Sequence, residues 1–382
     1  MRSSFKRIGD FVQQTKRRNV SLIFTNLQGV SIYKQFMPSV ANVNGTDLST
    51  YKVVAKEQFA FNPMHVGRDE VLPIAMLDTN EPVIVSPAYA VFEIIDKEEL
   101  LPEYLMMWCR RPEFDRNVWF TTDSSVRGGF SWDDFCEMTL PVPLIEKQWE
   151  IVKEYQTIVD RIRLNERLNQ KLEEMVHEIY RKYFFDEIHD CTTKTLNDVC
   201  SLITDGKHGD CENDTDSGFY FVSAKDLINR EISYGKARQI TEVDFKETDK
   251  RTNLSEGDIL LTNSGTIGRM AIVRNIPETR RTTFQKSVAI LKPKHDKIKS
   301  FYLYCLLRSQ IKSIIELAGG TSQSNLLLSD IREIEINYPG YEKVLEFECT
   351  VSPAFNMSFL INDFNKNLNH LKSIILSRMA IL

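Results

Sequence analysis

The residues best suited to chemistry lie in two glycine-containing polar loops, one in each half of the chain. Each loop follows a short apolar run and offers hydrogen-bond donors on a backbone that glycine makes adaptable. The members are Asn62, His65 and Arg68 in the first half and Asn263, Ser264, Thr266 and Arg269 in the second. Donors of these types bind phosphate oxygens and the edges of bases, so both loops are candidates for nucleic-acid contact.

The string Asn62-Pro63-Met64-His65 allows one competing, catalytic interpretation. It is similar to the Asn-Pro-Pro-aromatic motif with which amino-methyltransferases grip a target adenine, but the second proline and the aromatic residue are missing. No glycine-rich cofactor loop precedes it at the end of a strand, and the matching place in the second half holds Asn263-Ser264-Gly265. We therefore interpret the string as a turn, and keep an S-adenosylmethionine-binding methyltransferase as the alternative.

Other catalytic and metal motifs are missing from the sequence. It contains no G-x-x-x-x-G-K-[ST] phosphate loop, no H-E-x-x-H and no G-x-S-x-G elbow, and its six histidines lack metal-ligand spacing. We therefore expect no catalytic site, cofactor or metal in this chain. The seven cysteines are scattered without a C-x-x-C pair, which is typical of reduced thiols. With no signal peptide or apolar span in the sequence, this predicts a cytoplasmic protein without a membrane partner.

The charge distribution allows an anionic partner only locally. The formal net charge is −5, which argues against nucleic-acid binding, but phosphate contact needs only a locally basic face. Residues 1–20 and 266–299 are the two segments rich in lysine and arginine, whereas acidic residues concentrate in 205–216 and 242–258.

The chain is an internal repeat of two halves. Each half runs in the same order through a short opening element, the Asn-containing loop, a β-rich run, a helical segment, a small polar loop and a strand that ends at proline. The matching segments are 5–12 and 193–200, 57–68 and 257–269, 86–95 and 284–293, 100–114 and 298–315, 122–134 and 319–330, and the strands ending at Pro143 and Pro339.

A stretch of about 40 residues with helical periodicity follows each of these prolines. Apolar residues recur at steps of four and three, the pattern of a coiled-coil seam, and each seam is the obvious partner of the other. We expect an antiparallel pair of long helices, rather than two helices that each cap their own domain. Because Pro353 should break a helix, the second regular helix is expected to start near Ala354.

The predicted fold is α+β, with two pseudo-repeated mixed α/β recognition domains joined by two long antiparallel coiled-coil helices. The predicted segments are a first domain at 1–143, a central helix at 144–188, a second domain at 189–340 and a C-terminal helix at 341–382.

Several long strings in the sequence resemble the specificity subunit of type I restriction-modification systems. In the second half they are DGKHGD (205–210), FVSAKDL (221–227), LSEGDILLTNSGTIGR (254–269), FQKSVAILKP (284–293) and LAGGTSQSNLLLSDI (317–331). In the first half they are GVSIYKQFMPS (29–39), NPMHVGRDE (62–70) and SSVRGGFSWDDF (124–135), and QWEIV (148–152) resembles the start of the central helix of the family. The two halves differ markedly from each other, which implies an asymmetric target.

The resemblance implies that each domain recognises one half of a split double-stranded DNA site. It also implies that the paired helices fix the gap between the halves and dock two methyltransferase subunits. Those subunits use S-adenosylmethionine, and restriction subunits that join them use ATP and Mg.

A third hypothesis is a coiled-coil adaptor whose domains bind protein. It predicts no salt-dependent DNA affinity, unlike a protein that contacts phosphates.

The candidate DNA contacts divide by residue type. Aligning the two Pro-terminated strands places Arg127 opposite Gln323, and these suit guanine and adenine edges in the major groove, so they are the preferred base contacts. Further candidates near the polar loops are Ser125, Ser322 and Asn325, with Arg17, Arg18 and Asn19 near the start of the chain. Lys207, His208, Gln285 and Lys286 are expected at phosphates or in a groove, and Lys34 and Tyr89 are weaker candidates.

Overall fold

The computed structural model describes residues 5–40, 45–64, 66–122, 129–186, 191–319 and 325–381. The chain divides into two compact units. Unit 1 comprises residues 1–166 and 363–382, and unit 2 comprises residues 167–362. Each unit therefore contains one globular part together with a piece of both long helices.

Unit 1 is built from short strands and helices and the first part of a long helix. Its strands are β1 (Phe5–Arg7), β2 (Val12–Gln14), β3 (Gln28–Val30), β4 (Phe36–Pro38), β5 (Lys52–Val54), β6 (Phe59–Phe61), β7 (Ile74–Met76), β8 (Val83–Val85), β9 (Ala90–Ile94) and β10 (Thr139–Pro141). Its helices are α1 (Val66–Asp69), α2 (Pro102–Cys109), α3 (Pro112–Thr121), α4 (Trp132–Glu137) and the long α5 (Ile145–Arg181), which continues into unit 2.

Unit 2 has the same kind of construction. Its strands are β11 (Thr192–Thr195), β12 (Cys200–Asp205), β13 (Tyr220–Val222), β14 (Leu227–Ile228), β15 (Glu231–Ile232), β16 (Arg238–Gln239), β17 (Ile259–Thr262), β18 (Met270–Ile272), β19 (Thr282–Phe284), β20 (Val288–Pro293) and β21 (Glu335–Tyr338). Its helices are α6 (Leu196–Val199), α7 (Glu242–Thr252), α8 (Ser300–Ser309), α9 (Ile311–Glu316), α10 (Leu328–Arg332) and the long α11 (Tyr341–Arg378), which ends in unit 1.

Local sequence signals explain where several helices start and end. Pro102 and Pro112 occupy the first turns of α2 and α3, where the missing N–H has no helical partner to lose. Ser131 and Asp134 form a capping box at the start of α4. Helix α7 ends at Asn253, which adopts the left-handed conformation with a φ of 38°.

The two units share one sheet topology, which confirms the predicted repeat. The strand order is β2-β9-β6-β7 in unit 1 and β12-β20-β17-β18 in unit 2, and every neighbouring pair is antiparallel. In both units the first strand also pairs with the strand that ends near proline, β1 with β10 and β11 with β21. The α+β class predicted from the sequence is therefore correct.

The four-stranded sheet of each unit is buried on both faces. One face packs against helices, and the other packs against further strands. Phe59 and Phe61 of β6 lie in the same core cluster as the short helices and α5, while Ala60 between them packs with β3, β5 and β8. In unit 2, Leu261 faces the helices, and Leu260 packs with residues of β13, β14 and β15. The coverings of the second face differ between the units, which explains why the two halves of the sequence diverge there.

The period-two alternation corrects one alignment made from the sequence. Phe61 and Leu261 face the helices of their units, so Asn62 corresponds to Thr262 rather than to Asn263. An alignment that is shifted by one residue assigns every residue of a strand to the wrong face of the sheet. Matching the polar residues that follow two strands does not reveal such a shift.

Within each unit, α5 and α11 pack antiparallel, as predicted. In unit 1 the Asn165 amide donates to Asn365 at 2.7 Å, and in unit 2 the Asn169 amide donates to Asn362 at 2.8 Å. The predicted apolar seam is only partly buried, since Leu168 is 46% exposed. None of the helices that the structure describes has the length and hydropathy needed to cross a bilayer.

The expectation that Pro353 delays the second long helix is wrong. Helix α11 begins at Tyr341 and continues through Pro353. Pro353 is exposed, as is Cys349, whose carbonyl loses its helical partner and can be hydrated instead. Val351 and Phe355 on either side are buried in the unit 2 core and hold the helical course there.

Both long helices use a polar side chain to bind the start of a short helix. The Glu348 carboxylate accepts hydrogen bonds from the backbone N–H groups of Phe301 and Tyr302 in the first turn of α8, at 3.1 and 2.9 Å. In unit 1, Gln148 accepts from the Leu101 N–H at the start of α2, at 3.0 Å. Burial raises the pKa of Glu348 despite these two bonds.

Replacing Glu348 with alanine is expected to lower the free energy of unfolding by about 1–3 kcal/mol, because two N–H groups lose their acceptor. Chemical denaturation followed by circular dichroism measures this change. Asn356→Ala, an exposed change on the same helix, is the control and should change stability by no more than about 0.5 kcal/mol. Equal stability of the two variants would show that water replaces the carboxylate without cost.

Candidate nucleic-acid interface

In unit 2, the predicted loops meet at one edge of the four-stranded sheet. β12 and β17 end there and β20 begins there, since Asp205 pairs with Ala289 and Thr262 pairs with Val288. The segments that follow or precede these strand ends, 206–210, 263–269 and 285–287, therefore lie side by side. The sheet brings together residues that are up to 81 positions apart in the sequence.

The loop DGKHGD is held close to its neighbour by a glycine. A Cβ on Gly206 would lie 1.9 Å from the carbonyl oxygen of Phe284, so only glycine fits this approach. The approach lets the Lys207 N–H donate to that carbonyl at 2.8 Å, and Lys207 forms a parallel bridge with Gln285. Lys286 donates its N–H to the Lys207 carbonyl.

Lys207 and His208 both have carboxylate partners within unit 2. The Lys207 ammonium lies 2.6 Å from Asp244 and 3.2 Å from Glu247 on α7, and the hydrogen bond to Asp244 raises the pKa of Lys207. His208 lies 3.0 Å from Asp205, whose other oxygen pairs with Arg251. Lys207 is thus neutralised locally, which reduces its attraction for a phosphate, whereas Lys286 is exposed beside it.

Asn263 is buried and organises the second loop through its backbone. Its N–H donates to the Ser287 carbonyl, and its carbonyl accepts from Leu326, which links β20 to the segment before α10. Its Oδ1 has no hydrogen-bond partner among the described residues. Ser264 bridges Asn325, so the loop after β17 and the second small polar loop adjoin at this edge.

Thr266 and Arg269 are exposed members of the same loop. The Thr262 hydroxyl donates to the Thr266 carbonyl at 2.5 Å and accepts from the Arg269 N–H, which closes the loop into a compact turn. Gly268 has a φ of 93°, a conformation that L-residues rarely adopt. The Arg269 guanidinium donates to the Ala224 carbonyl at 3.2 Å.

The contact with Ala224 reveals a residue that the sequence analysis missed. Lys225 follows Ala224, is exposed, and lies between a capping box formed by Ser223 and Asp226. The same segment adjoins the interface on its other side, because the Gln285 N–H donates to the Val222 carbonyl. Lys225 stands within the string FVSAKDL, but nothing in that string distinguishes it from a solvated lysine.

In unit 1, the equivalent sheet edge carries fewer of the predicted residues. Asn62 follows β6, and its side-chain oxygen accepts from the Met64 N–H at 3.0 Å, which forms the predicted turn. Tyr89 precedes β9 at the same edge, and its hydroxyl accepts from the Val30 N–H at 3.4 Å.

Two sequence candidates in unit 1 have structural partners instead of a free side chain. Asn19 is buried, and its amide binds both the N–H and the carbonyl of Phe24. Lys34 is buried and donates to the Cys109 carbonyl and to Asp115, each at 2.6 Å. A contact of either side chain with DNA would require these bonds to break, so the structure gives both a packing role.

Arg17 and Arg18 remain exposed, and Arg18 has an unexpected neighbour. Arg18 forms an antiparallel bridge with Lys52, and the Lys52 ammonium donates to the Tyr89 carbonyl at 2.5 Å. Neither Arg18 nor Lys52 pairs with a carboxylate among the described residues. Burial and, second, the charge of Arg18 lower the pKa of Lys52. Lys52 is therefore a second residue that the sequence analysis missed.

Several predicted contacts cannot be placed. His65, Ser125, Arg127, Ser322 and Gln323 lie outside the described residues, and so does the side chain of Arg68. The two preferred base contacts, Arg127 and Gln323, are among them, so their assignment stays a prediction. Asn325, the first described residue after 324, shows where the second small loop rejoins the edge.

Comparison with known proteins confirms the resemblance found in the sequence. Residues 189–343 match the family model described as "Type I restriction modification DNA specificity domain". The chain is 24% identical over 285 residues to the type I restriction enzyme MjaIX specificity subunit of Methanocaldococcus jannaschii, an alignment that covers 69% of this chain and 64% of that subunit. It is 24% identical over 173 residues to the EcoBI specificity subunit of Escherichia coli, over 44% of this chain and 35% of that one. The chain thus spans less than two thirds of the length of either relative.

A solved structure shows the same fold. It is the crystal structure of the S subunit of a type I restriction-modification system from M. genitalium, with a TM-score of 0.60 and 14% sequence identity. The superposition covers 99% of this chain and 96% of that one.

Proposed function

We propose that this chain, which carries a type I restriction-modification DNA specificity domain at residues 189–343, is the DNA-recognition subunit of such a system. It binds a bipartite, asymmetric double-stranded DNA site, one half-site per unit, and has no catalysis of its own. It acts in the cytoplasm and holds two methyltransferase subunits and the restriction subunits. S-adenosylmethionine, ATP and Mg belong to those partners.

The observation that carries this proposal is the repetition of one sheet with unlike loops at the same edge. The two four-stranded sheets have equivalent strand orders. In each sheet the two central strands, β9 and β6 in unit 1 and β20 and β17 in unit 2, carry polar loops at the same edge. A repeated frame with different loops suits a protein that recognises two different short sequences. The edge of unit 2 offers Thr266, Asn325 and Gln285 for base edges, and Arg269 and Lys286 for guanine or phosphate.

The long helices support the scaffolding part of the proposal. Large apolar side chains on them remain exposed although both helices are paired, and such surfaces typically bind another protein. These side chains include Leu164, Phe364, Leu371 and Ile374 in unit 1, and Leu168, Met175, Met357 and Leu360 in unit 2. We assign these residues to the contact with the methyltransferase subunits.

Selection from a randomised duplex pool with the full chain tests the DNA-recognition proposal. We expect enrichment of two short sequences at a fixed gap, and an affinity whose logarithm falls linearly with the logarithm of salt concentration. Arg269→Ala combined with Lys286→Ala should reduce the magnitude of that slope by about 1–2, since each removes up to one phosphate contact. The double variant should also weaken the sequence preference in one half only.

Lys297→Ala is the matched control, because Lys297 follows the opposite end of β20. It should leave the salt slope and the enriched sequence unchanged. A chain that co-purifies with a methyltransferase partner but enriches no sequence and shows no salt-dependent affinity would overturn the proposal and favour the protein adaptor. Binding of S-adenosylmethionine by the isolated chain would favour the methyltransferase alternative.

A further inference from the structure

A hairpin of unit 1 exposes two large apolar side chains at its turn. β3 and β4 pair antiparallel, and the turn is closed by hydrogen bonds from Ser31 to Gln35 and from Lys34 to Ser31, both 2.9 Å. Tyr33 is 80% exposed and Ile32 is 46% exposed. Tyr33 therefore gains little from burial within the unit, and about half of Ile32 remains accessible.

The backbone of this turn is held rigidly by the residue that follows Tyr33. Lys34 adopts a φ of 59°, which is unfavourable for a residue other than glycine, and its buried ammonium binds Asp115 of α3. Asp115 also accepts from the Leu72 N–H at 3.1 Å, and Leu72 lies just before β7. The buried ion pair holds this uncommon backbone conformation in place. The ion pair between Lys34 and Asp115 thus fixes the position of Ile32 and Tyr33.

The hairpin is a separate two-stranded sheet that adjoins the edge of the four-stranded sheet carrying the candidate interface of unit 1. The Val30 N–H at the end of β3 donates to the Tyr89 hydroxyl, and Tyr89 precedes β9 at that edge. The Tyr89 carbonyl accepts from Lys52, which is bridged to Arg18. Two cations are therefore held side by side without a carboxylate partner among the described residues, and such a pair attracts an anion.

We propose that the turn carrying Ile32 and Tyr33 is a base-contacting element of unit 1, and that Arg18 and Lys52 bind the neighbouring DNA phosphates. This inference rests on the proposed DNA-recognition function and names residues for it in the half of the chain that the family model does not match. In the major groove, an aromatic ring on a fixed turn contacts the edge of a base, in particular a thymine methyl group, at little cost in side-chain entropy. Lys34, a candidate contact in the sequence, acts instead as the positioning residue for Tyr33.

A double-stranded DNA partner fits this surface better than a protein partner does. A protein interface at Arg18 and Lys52 would need carboxylates placed opposite both cations, whereas a DNA backbone supplies a negative charge at every phosphate. The apolar turn alone would suit either partner. The exposed aromatic ring offers a contact to base edges, and the adjacent unneutralised cation pair offers contacts to the phosphate backbone.

The experiment compares Tyr33→Ala, Tyr33→Phe and wild type, all as full chains, in selection from a randomised duplex pool. In Tyr33→Ala the preference at one or two positions of one half-site should fall about tenfold, the order expected for one lost base-edge contact, while the other half-site is unchanged. Tyr33→Phe should retain the preference. Ile95→Ala, an exposed apolar change just beyond the opposite end of β9, is the control and should alter nothing.

The cation pair has a separate readout. Lys52→Met should reduce the magnitude of the salt slope by about one without changing the enriched sequence, whereas Lys56→Met, an exposed lysine nearby in the chain, should not. An unchanged sequence preference in Tyr33→Ala overturns the assignment of the turn. Loss of a co-purifying methyltransferase subunit with that preference intact would reassign the turn to a protein contact. A wild-type chain that enriches no sequence at all would overturn the proposed function itself, an outcome distinct from failure of this assignment.

Discussion

Lys34→Met should lower the free energy of unfolding by about 3–5 kcal/mol, the cost typical of removing one partner of a buried ion pair. The ammonium of Lys34 is buried against the Cys109 carbonyl and Asp115. Methionine preserves most of the apolar stem but leaves the Asp115 carboxylate buried, with the Leu72 N–H as its remaining partner among the described residues. Urea denaturation of the full chain, followed by circular dichroism, measures the loss.

The destabilisation should also depend on pH. Burial raises the pKa of Asp115, and Lys34 counteracts this effect, so removing Lys34 raises that pKa further. A carboxyl group whose pKa is higher in the folded than in the unfolded state binds more protons when folded. The Lys34→Met variant therefore loses stability as the pH rises from the unfolded-state pKa of Asp115, near 3.8, to its folded-state pKa. We expect the difference between Lys34→Met and wild type to shrink from pH 7 to pH 5.

Two further variants separate the ion pair from general damage. Lys34→Met combined with Asp115→Leu removes both charges and should recover a large part of the loss, since an uncharged pair leaves no unpaired ion. Lys56→Met changes an exposed lysine and should be neutral within about 0.5 kcal/mol. If Lys34→Met were as stable as Lys56→Met, the Lys34 ammonium would not be buried in solution, and its ion pair with Asp115 would not hold the turn.

The architecture was predictable because it follows from periodicity and order along the chain. Helical steps of four and three predicted α5 and α11, and the matched order of segments predicted two units with one topology. The bounds of α11 were not predictable from Pro353 alone. Whether an exposed proline breaks a helix depends on the packing of its neighbours, here Val351 and Phe355, which are buried by residues distant in sequence.

The candidate site was only partly predictable, because charged residues find partners across the fold. Lys34 meets Asp115 and Lys207 meets Asp244, pairs that are 81 and 37 positions apart and have no local signature. A basic residue in a polar string therefore cannot be distinguished from one that is already neutralised. Lys52 shows the converse, since it stands in an apolar strand but is bridged to Arg18, a neighbour that the sequence does not reveal.

Phe347→Ala is the second large effect, an expected loss of about 3–5 kcal/mol in the free energy of unfolding. Phe347 of α11 is fully buried, and its ring lies 5.6 Å from Tyr180 near the end of α5 and 6.0 Å from Tyr302 of α8. The π-helical turn Lys182–Asp186 also brings Phe184 to 5.3 Å from the same ring. One side chain thus joins three helices of unit 2, and alanine leaves a cavity that the surrounding rings cannot fill.

Calorimetry and amide hydrogen exchange measure both the size and the location of this effect. Exchange should accelerate in α8, at the end of α5 and in the first turns of α11, because these segments share the Phe347 ring. Phe347→Leu keeps much of the volume and should cost less than half as much, and Leu345→Ala, at a half-exposed position on the same helix, should cost less still. Under the proposed function, DNA selection with Phe347→Ala distinguishes two outcomes. If both proposed half-site sequences were retained at their spacing while these helices exchanged faster, base recognition would depend on the sheet edges alone. If each sequence were retained but the spacing between them became variable, the anchorage of α5 and α11 would set that spacing.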